Sequence, residues 1–424
     1  MTFPFLWGAA TSSHQVEGEN TLNDWWEWER AGRLKESSGL ACDHYRRYGA
    51  DFDLVSELGH NAHRFSIEWS RLEPVEGRWD EAAFAHYEDV LKTLRAKRIE
   101  PVVTLHHFTN PLWFARRGGW ANPACVTAFA RYVRRAAEAF GKYVRIWITI
   151  NEPTIYVYHA HLAGLWPPGG KSLKEGAAVF RNMLFAHAEA YREIHRLYET
   201  KSWPRPWVSF SQYATRYEPC RPEFFADRWA ASFRNESLNH LFVKSALEGF
   251  LFFPGFFCEF LPVRKTLDFI GLNYYMSQFV RVSGLWGAKL AGESCDEAHH
   301  AGRVRERNAM NWPVDPEGFG RLLVDFGRYG LPILVTENGI CAADDEQRSR
   351  FIREHLGALA RAREAGARVS GYFYWSLLDN FEWAHGFGPR FGIVEVDYAT
   401  QERKVRRSAQ VLSTLCRQLE RHGT

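Results

Sequence analysis

Eight short apolar runs, each followed by a longer stretch of helical character, recur from one end of this chain to the other. The runs are Leu6–Ser12, Ala62–Ile67, Glu100–His106, Val144–Ile150, Trp207–Gln212, Phe269–Tyr274, Ile333–Thr336 and Val369–Trp375. Their apolar residues are nearly consecutive rather than alternating, as in parallel strands covered on both faces. The helix-like stretches lie at about His44–Leu58, Glu81–Lys97, Pro123–Phe140, Leu173–Tyr198, Pro222–Glu248, Pro316–Tyr329, Asp345–Ala365 and Lys404–Leu419. In the first, Tyr45, Tyr48, Phe52 and Val55 fall at helical spacing. Eight such units with no linker between them predict a single (β/α)8 barrel over residues 1–424, an α/β fold with its active site at the C-terminal strand ends. Ser283–Trp312, rich in Gly, Ala and charge, reads as a long loop on that active face.

Two strand ends stand out. The run Val144–Ile150 stops in Asn151-Glu152-Pro153, where proline cannot continue a central ladder. Ile333–Thr336 stops in Glu337-Asn338-Gly339, again a carboxyl beside an amide. Two carboxyls presented by two strand ends are what glycosidic bond cleavage needs, one as acid/base and one as nucleophile or second base. The remaining polar residues at strand ends are Gln15, Arg64, His106, His107, Gln212, Asn273, Tyr275 and Asn338, with the indole of Trp375. This set suits a neutral polyol. It lacks the Gly-rich cradle of a nucleotide site. His106 and His107 are strand neighbours and point to opposite faces, so they cannot share a metal.

Composition agrees. The 53 basic and 50 acidic residues nearly balance, which gives no reason to expect nucleic acid as a partner. Aromatic residues reach 15%, including 17 Trp; most must be core, but Trp faces also stack on the C–H faces of sugars. Seven scattered cysteines, none in a CxxC, read as reduced thiols of a cytoplasmic protein rather than a disulfide or zinc framework. No apolar run approaches a membrane span, and the N-terminus has no signal-like h-region. His44, His63, His106, His159 and His161 read as structural histidines, Glu17 as a structural carboxyl, and Trp25, Trp26 and Trp28 as a packing patch.

With these residues in hand, the chain resembles glycoside hydrolase family 1, the β-glucosidase family. The segments that carry the resemblance are Asn151-Glu152-Pro153, Thr336-Glu337-Asn338-Gly339, Ser13-His14-Gln15-Val16-Glu17-Gly18, Asn61-Ala62-His63-Arg64-Phe65-Ser66-Ile67, Gly271-Leu272-Asn273-Tyr274-Tyr275 and Trp375 through Trp383. The resemblance implies a cofactor-independent retaining β-glycosidase acting on terminal β-glucosides, and on β-galactosides or β-fucosides, with no metal. Glu152 would be the acid/base and Glu337 the nucleophile. Asn151 would bond the sugar 2-OH, with Asn273 near the pair, and Arg64 and Tyr275 flanking Glu337. Gln15, His107, Glu382 and Trp383 would hold sugar hydroxyls. Trp375 would be the stacking floor, Phe391 would close the pocket, and a cis peptide is expected at Trp375-Ser376.

A cation such as Arg64 beside Glu337 favours the charged nucleophile, while an anionic Glu337 raises the pKa of Glu152 until glycosylation removes that charge. A retaining pair implies carboxyls about 5–5.5 Å apart. Departures from the family's pattern are informative. His107 is followed by Phe108-Thr109-Asn110-Pro111 where the family has Trp-Asp-Leu-Pro, so an indole donor is lost. The branch acting on 6-phosphosugars carries Ser in place of Glu382, whose charge would repel a phosphate. The thioglucosidase branch has Gln in place of Glu152. Leu165-Trp166-Pro167-Pro168-Gly169 is expected on the aglycone side. Two alternatives stay open: a non-catalytic sugar-binding relative, and a protein that mainly transglycosylates. Partners beyond the glycoside or oligosaccharide substrate are not specified; neither nucleic acid nor membrane is expected, and a homo-oligomer is left open.

Overall fold

A computed structural model describes residues 4–253, 255–284, 289, 291–295, 300, 304 and 306–421. Eight parallel strands close into a barrel: β1 Leu6–Ala10, β2 Ala62–Ser66, β3 Glu100–His106, β4 Ile146–Asn151, β5 Trp207–Tyr213, β6 Ile270–Tyr274, β7 Ile333–Asn338 and β8 Val369–Trp375. Each strand pairs with its sequence neighbours, and β8 closes on β1 from Leu6 opposite Gly371 to Ala10 opposite Trp375. Leu6, Ala62, Val102, Ile146, Ile148, Phe269, Leu334 and Phe373 pack with one another inside the barrel. A much larger apolar layer, including Val103, Trp147 and Val335, joins the strands to the surrounding helices. Burial on both faces is why the runs read as continuously apolar.

The helices start where their sequences offer caps. Asp80, Ser172, Asp315 and Asp344 each accept a backbone N–H in the first turn of the helices Glu81–Ala96, Leu173–Thr200, Pro316–Gly327 and Asp345–Glu364. The expected helix Pro222–Glu248 is broken in three. Helices Phe225–Arg234 and Leu241–Glu248 flank a widened π turn, Asn235–His240. There the Asn235 and Asn239 amides bond the backbone carbonyls of Tyr217 and Thr215. The last helix begins at Arg407, because Arg403–Val405 pairs with Val394–Val396 as a hairpin.

The expected loop Ser283–Trp312 is partly ordered. Its Glu293–Ser294 joins Ser277–Arg281 and Arg216–Pro219 in a three-stranded sheet. Residues 285–288, 290, 296–299, 301–303 and 305 of that stretch lie outside the described residues. Among the described residues no helix is long and apolar enough to cross a membrane.

Candidate active site

The mouth is built by irregularity in two strands. Along β7 the inward residue is Leu334, so strict alternation would turn Thr336 inward and Glu337 toward the helices. The register against β6 slips by one residue between Val335, opposite Leu272, and Glu337, opposite Asn273. The extra residue brings Glu337 onto the mouth. β4 does the same: Ile146 and Ile148 face in, Ile150 packs with the outer layer, and the register against β5 slips before Asn151. Glu152 then adopts a left-handed backbone, φ 44°, and Pro153 opens the next helical turn. A left-handed non-glycine at a strand end costs about 1–3 kcal/mol and marks a position held by its surroundings. Gly339 has no alternative, since a Cβ there would lie 1.8 Å from the Trp375 carbonyl oxygen.

Arg64, from β2, is buried beneath the pair. It forms an ion pair with Glu337 and donates to Asn151 Oδ1 at 2.6 Å and to the Thr336 carbonyl at 3.0 Å. Tyr275 OH donates to the other Glu337 oxygen at 2.6 Å. Burial and the Glu337 charge push the Tyr275 phenol well above its ordinary value, so it stays a donor. Among the described residues no cation sits on the Glu152 carboxyl. Asn273 Nδ2 donates to its Oε1 at 2.7 Å and to Asn151 Oδ1 at 3.2 Å, while Thr336 Oγ1 orients Asn273 at 2.6 Å. The Glu152 carboxyl is held well above its usual range, first by burial and then by the charge of Glu337, with Arg64 opposing. Burial as the leading cause is not visible in the sequence neighbours of Glu152.

The amide of Asn151 also donates to His107 Nε2 at 3.3 Å. Burial and the nearby Arg64 keep this histidine neutral, so its proton sits on Nδ1, which has no hydrogen-bond partner among the described residues. His106 instead faces outward, bonded to Asn110 at 3.1 Å and packed edge-on against Trp120. The ring of His107 stacks between those of Trp375 and Trp383, at centroid distances of 5.9 and 6.1 Å. The peptide Trp375-Ser376 is cis, as expected.

Gln15 donates to Asn380 Oδ1, the Phe381 carbonyl and Glu382 Oε2, at 3.0, 2.9 and 3.2 Å. Loss of solvation and the charge of Glu337 raise Glu382 to about 8, against the opposing effect of Trp375 and Gln15. Phe391 lies buried against Tyr275 and Trp312, with centroids 6.1 and 6.2 Å away. Gln212 stands apart, its amide donating to Tyr213 and Leu238 carbonyls.

The structure also shows what packs behind Trp383, including Trp166, which the sequence places on the aglycone side. Trp25 and Trp166 pack around Trp383 at 4.6 and 6.1 Å, with Phe108 at 5.3 Å. The sequence reads Trp25 as part of a packing patch, and nothing in its helix signals that it packs on Trp383. Glu68, wholly buried, accepts from Ser13, Asn20, Ser70 and Thr109 and ties the segment of Gln15 to that of His107.

A closed parallel barrel whose mouth carries two buried carboxyls, one paired with a guanidinium and one with an amide, defines a glycoside hydrolase of the barrel class. Comparison with known proteins narrows this. Residues 1–252 and 258–420 match the family model described as Glycosyl hydrolase family 1. The chain is 34% identical to β-glucosidase A of Thermotoga maritima, over 95% of each chain. It is 31% identical to a β-galactosidase of Pyrococcus woesei, over 94% of this chain and 93% of that one. Among solved structures, a β-glycosidase from Pyrococcus horikoshii superposes with a TM-score of 0.90 at 39% identity, covering 100% of this chain and 98% of the other. The T. maritima β-glucosidase in complex with glucoimidazole gives a TM-score of 0.87 at 31% identity, covering 98% of each. The chain belongs to glycosyl hydrolase family 1.

Proposed function

We propose that this protein hydrolyses terminal, non-reducing β-D-glucosides, and also β-galactosides and β-fucosides, by double displacement through a glycosyl-enzyme. Glu337 attacks the anomeric carbon while the protonated Glu152 gives its proton to the departing oxygen. The glycosidic C–O bond breaks and an ester to Glu337 forms. With the Glu337 charge gone, Glu152 loses part of what raised its pKa and takes a proton from water. The water oxygen attacks the anomeric carbon, the ester breaks, and Glu337 and Glu152 return to their starting states. The carrying observation is the unlike company of the two carboxyls: guanidinium and phenol on Glu337, one amide on the buried Glu152.

The carboxylate of Glu337, on the face from which it attacks, favours the positive charge that develops on the sugar ring. For the substrate, Asn151 bonds the 2-OH, and the Nδ1–H of His107 serves a further hydroxyl. Gln15, Glu382 and Trp383 hold the far side of the ring over Trp375, and Phe391 closes it. Glu382 tolerates either C4 epimer by accepting from the hydroxyl, and relatives named both β-glucosidase and β-galactosidase support that breadth. Its carboxyl stands where the branch acting on 6-phosphosugars carries Ser, which disfavours 6-phosphosugars. A cytoplasmic setting belongs to this reading and rests on seven cysteines with no disulfide among them. The test is trapping with a 2-deoxy-2-fluoro-β-glucoside bearing a good leaving group, followed by peptide mass mapping. Label on the peptide containing Glu337 is expected; label elsewhere, or none with turnover intact, overturns the assignment.

A further inference from the structure

Away from the barrel mouth, the three-stranded sheet gathers three soft ligand atoms that the glycosidase reading does not use. Cys220 directly follows the strand Arg216–Pro219, and its N–H bonds the Val280 carbonyl at 2.8 Å. Cys295 directly follows Glu293–Ser294, and its N–H bonds the Phe279 carbonyl at 2.8 Å. The two cysteines thus bracket the middle strand, Ser277–Arg281, from opposite sides. Their sulfurs are 3.2 Å apart. His300 stacks on Phe279, with ring centroids 3.9 Å apart and planes 7° from parallel. Ligand atoms of Cys220, Cys295 and His300 all lie within 4.8 Å of one another, and the three residues are 3%, 5% and 1% exposed.

We propose that Cys220, Cys295 and His300 form a structural site for a soft divalent cation, zinc being the fitting one, with a fourth ligand completing the tetrahedron. Two thiolates and a neutral imidazole around a divalent cation sum to zero charge, which suits the apolar pocket of Phe279 and Val304. Loading releases two thiol protons to solvent. A tetrahedral ion with Zn–S of about 2.3 Å sets its sulfurs roughly 3.8 Å apart, so the thiols open by about half an ångström. The sulfurs are not bonded to each other, since a disulfide needs about 2.05 Å. The ion would clamp both edges of the sheet to the segment around His300. Cys220 and Cys295 are 75 residues apart in sequence, and no short motif announces them.

The experiment uses the full chain produced with zinc, desalted against a weak chelator and read by elemental analysis and thiol titration. One zinc per chain is expected in the unaltered protein and in Cys258→Ser, and loss of that zinc in Cys220→Ser, Cys295→Ser and His300→Ala. Cobalt substitution should give thiolate-to-metal charge-transfer absorption that disappears in the same three variants. Turnover of a 4-nitrophenyl glycoside checks that each variant is folded. Should the cysteine variants fail to fold, His300→Ala and zinc protection of two thiols from alkylation in the unaltered chain carry the test. No bound zinc, zinc retained in the ligand variants, or a native mass two hydrogens lighter with two thiols missing would overturn the proposal.

Discussion

The ends of β4 and β7 are alike in sequence and unlike in surroundings. Each is an apolar strand closing on a Glu beside an Asn, and each carries an extra residue that turns its polar end into the mouth. Yet Glu337 meets Arg64 and Tyr275, while Glu152 meets Asn273 in a buried position with no cation on its carboxyl among the described residues. The same side chain therefore has unlike company, set by what two other strands, β2 and β6 with the residue that follows it, bring to it. Chemical role is a property of the neighbours, and the motif around each Glu does not contain them.

The largest way to break this comparison is Glu337→Gln. Turnover should fall by more than about 10⁴-fold on every glycoside, whatever its leaving group, beyond the range of acid–base catalysis alone. Next comes Glu152→Gln. On alkyl glycosides kcat should drop about 10²- to 10⁴-fold, but glycosyl-enzyme formation from 2,4-dinitrophenyl glycosides, which need no proton, should be far less affected. Equal losses on both substrates in a burst experiment would mean that Glu152 is not the acid. Tyr275→Phe removes a hydrogen bond to a charged group worth about 1.5–3 kcal/mol, so kcat/KM should fall about 10- to 150-fold.

Two pH predictions sharpen the contrast. The rate of the unaltered enzyme should decline as pH rises through the elevated pKa of Glu152, where the acid loses its proton. That alkaline limb should vanish in glycosyl-enzyme formation by Glu152→Gln; its persistence would assign the titration elsewhere. The smallest effect concerns Glu382. Its folded-state pKa, about 8, lies above the ordinary 4.5, so the folded chain binds the extra proton across that window. Its contribution to stability is fully present below pH 4.5 and is lost as pH rises through 8. Glu382→Gln should therefore flatten the fall in Tm between pH 5 and 8, by a modest amount because the carboxyl keeps some solvent contact. An unchanged slope would show that Glu382 titrates normally.

Much of the fold could be read from the chain because doubly covered strands are apolar at every position and long helices repeat every 3.6 residues. All eight barrel strands lie where the apolar runs put them. The strands Arg216–Pro219 and Ser277–Arg281 were missed, being short, polar at the edges and paired with each other across 60 residues. The helix Pro222–Glu248 was expected to be continuous because Asn235 and Asn239 give no sign of their backbone partners until Thr215 and Tyr217 pack beside them.

The sequence by itself determined the barrel, the two carboxyl-bearing strand ends, and the family through motifs spread along the chain. These rest on local information: apolar periodicity, a proline that stops a strand, and neighbouring residues whose order survives in one dimension. Only the tertiary structure decided which way those ends face, that burial more than charge raises Glu152, that Trp25 and Trp166 back Trp383, and that Cys220, Cys295 and His300 meet. The reason is physical. Facing depends on the register between strands, and desolvation depends on everything packed within a few ångströms, so both are sums over residues that become neighbours only when the barrel closes.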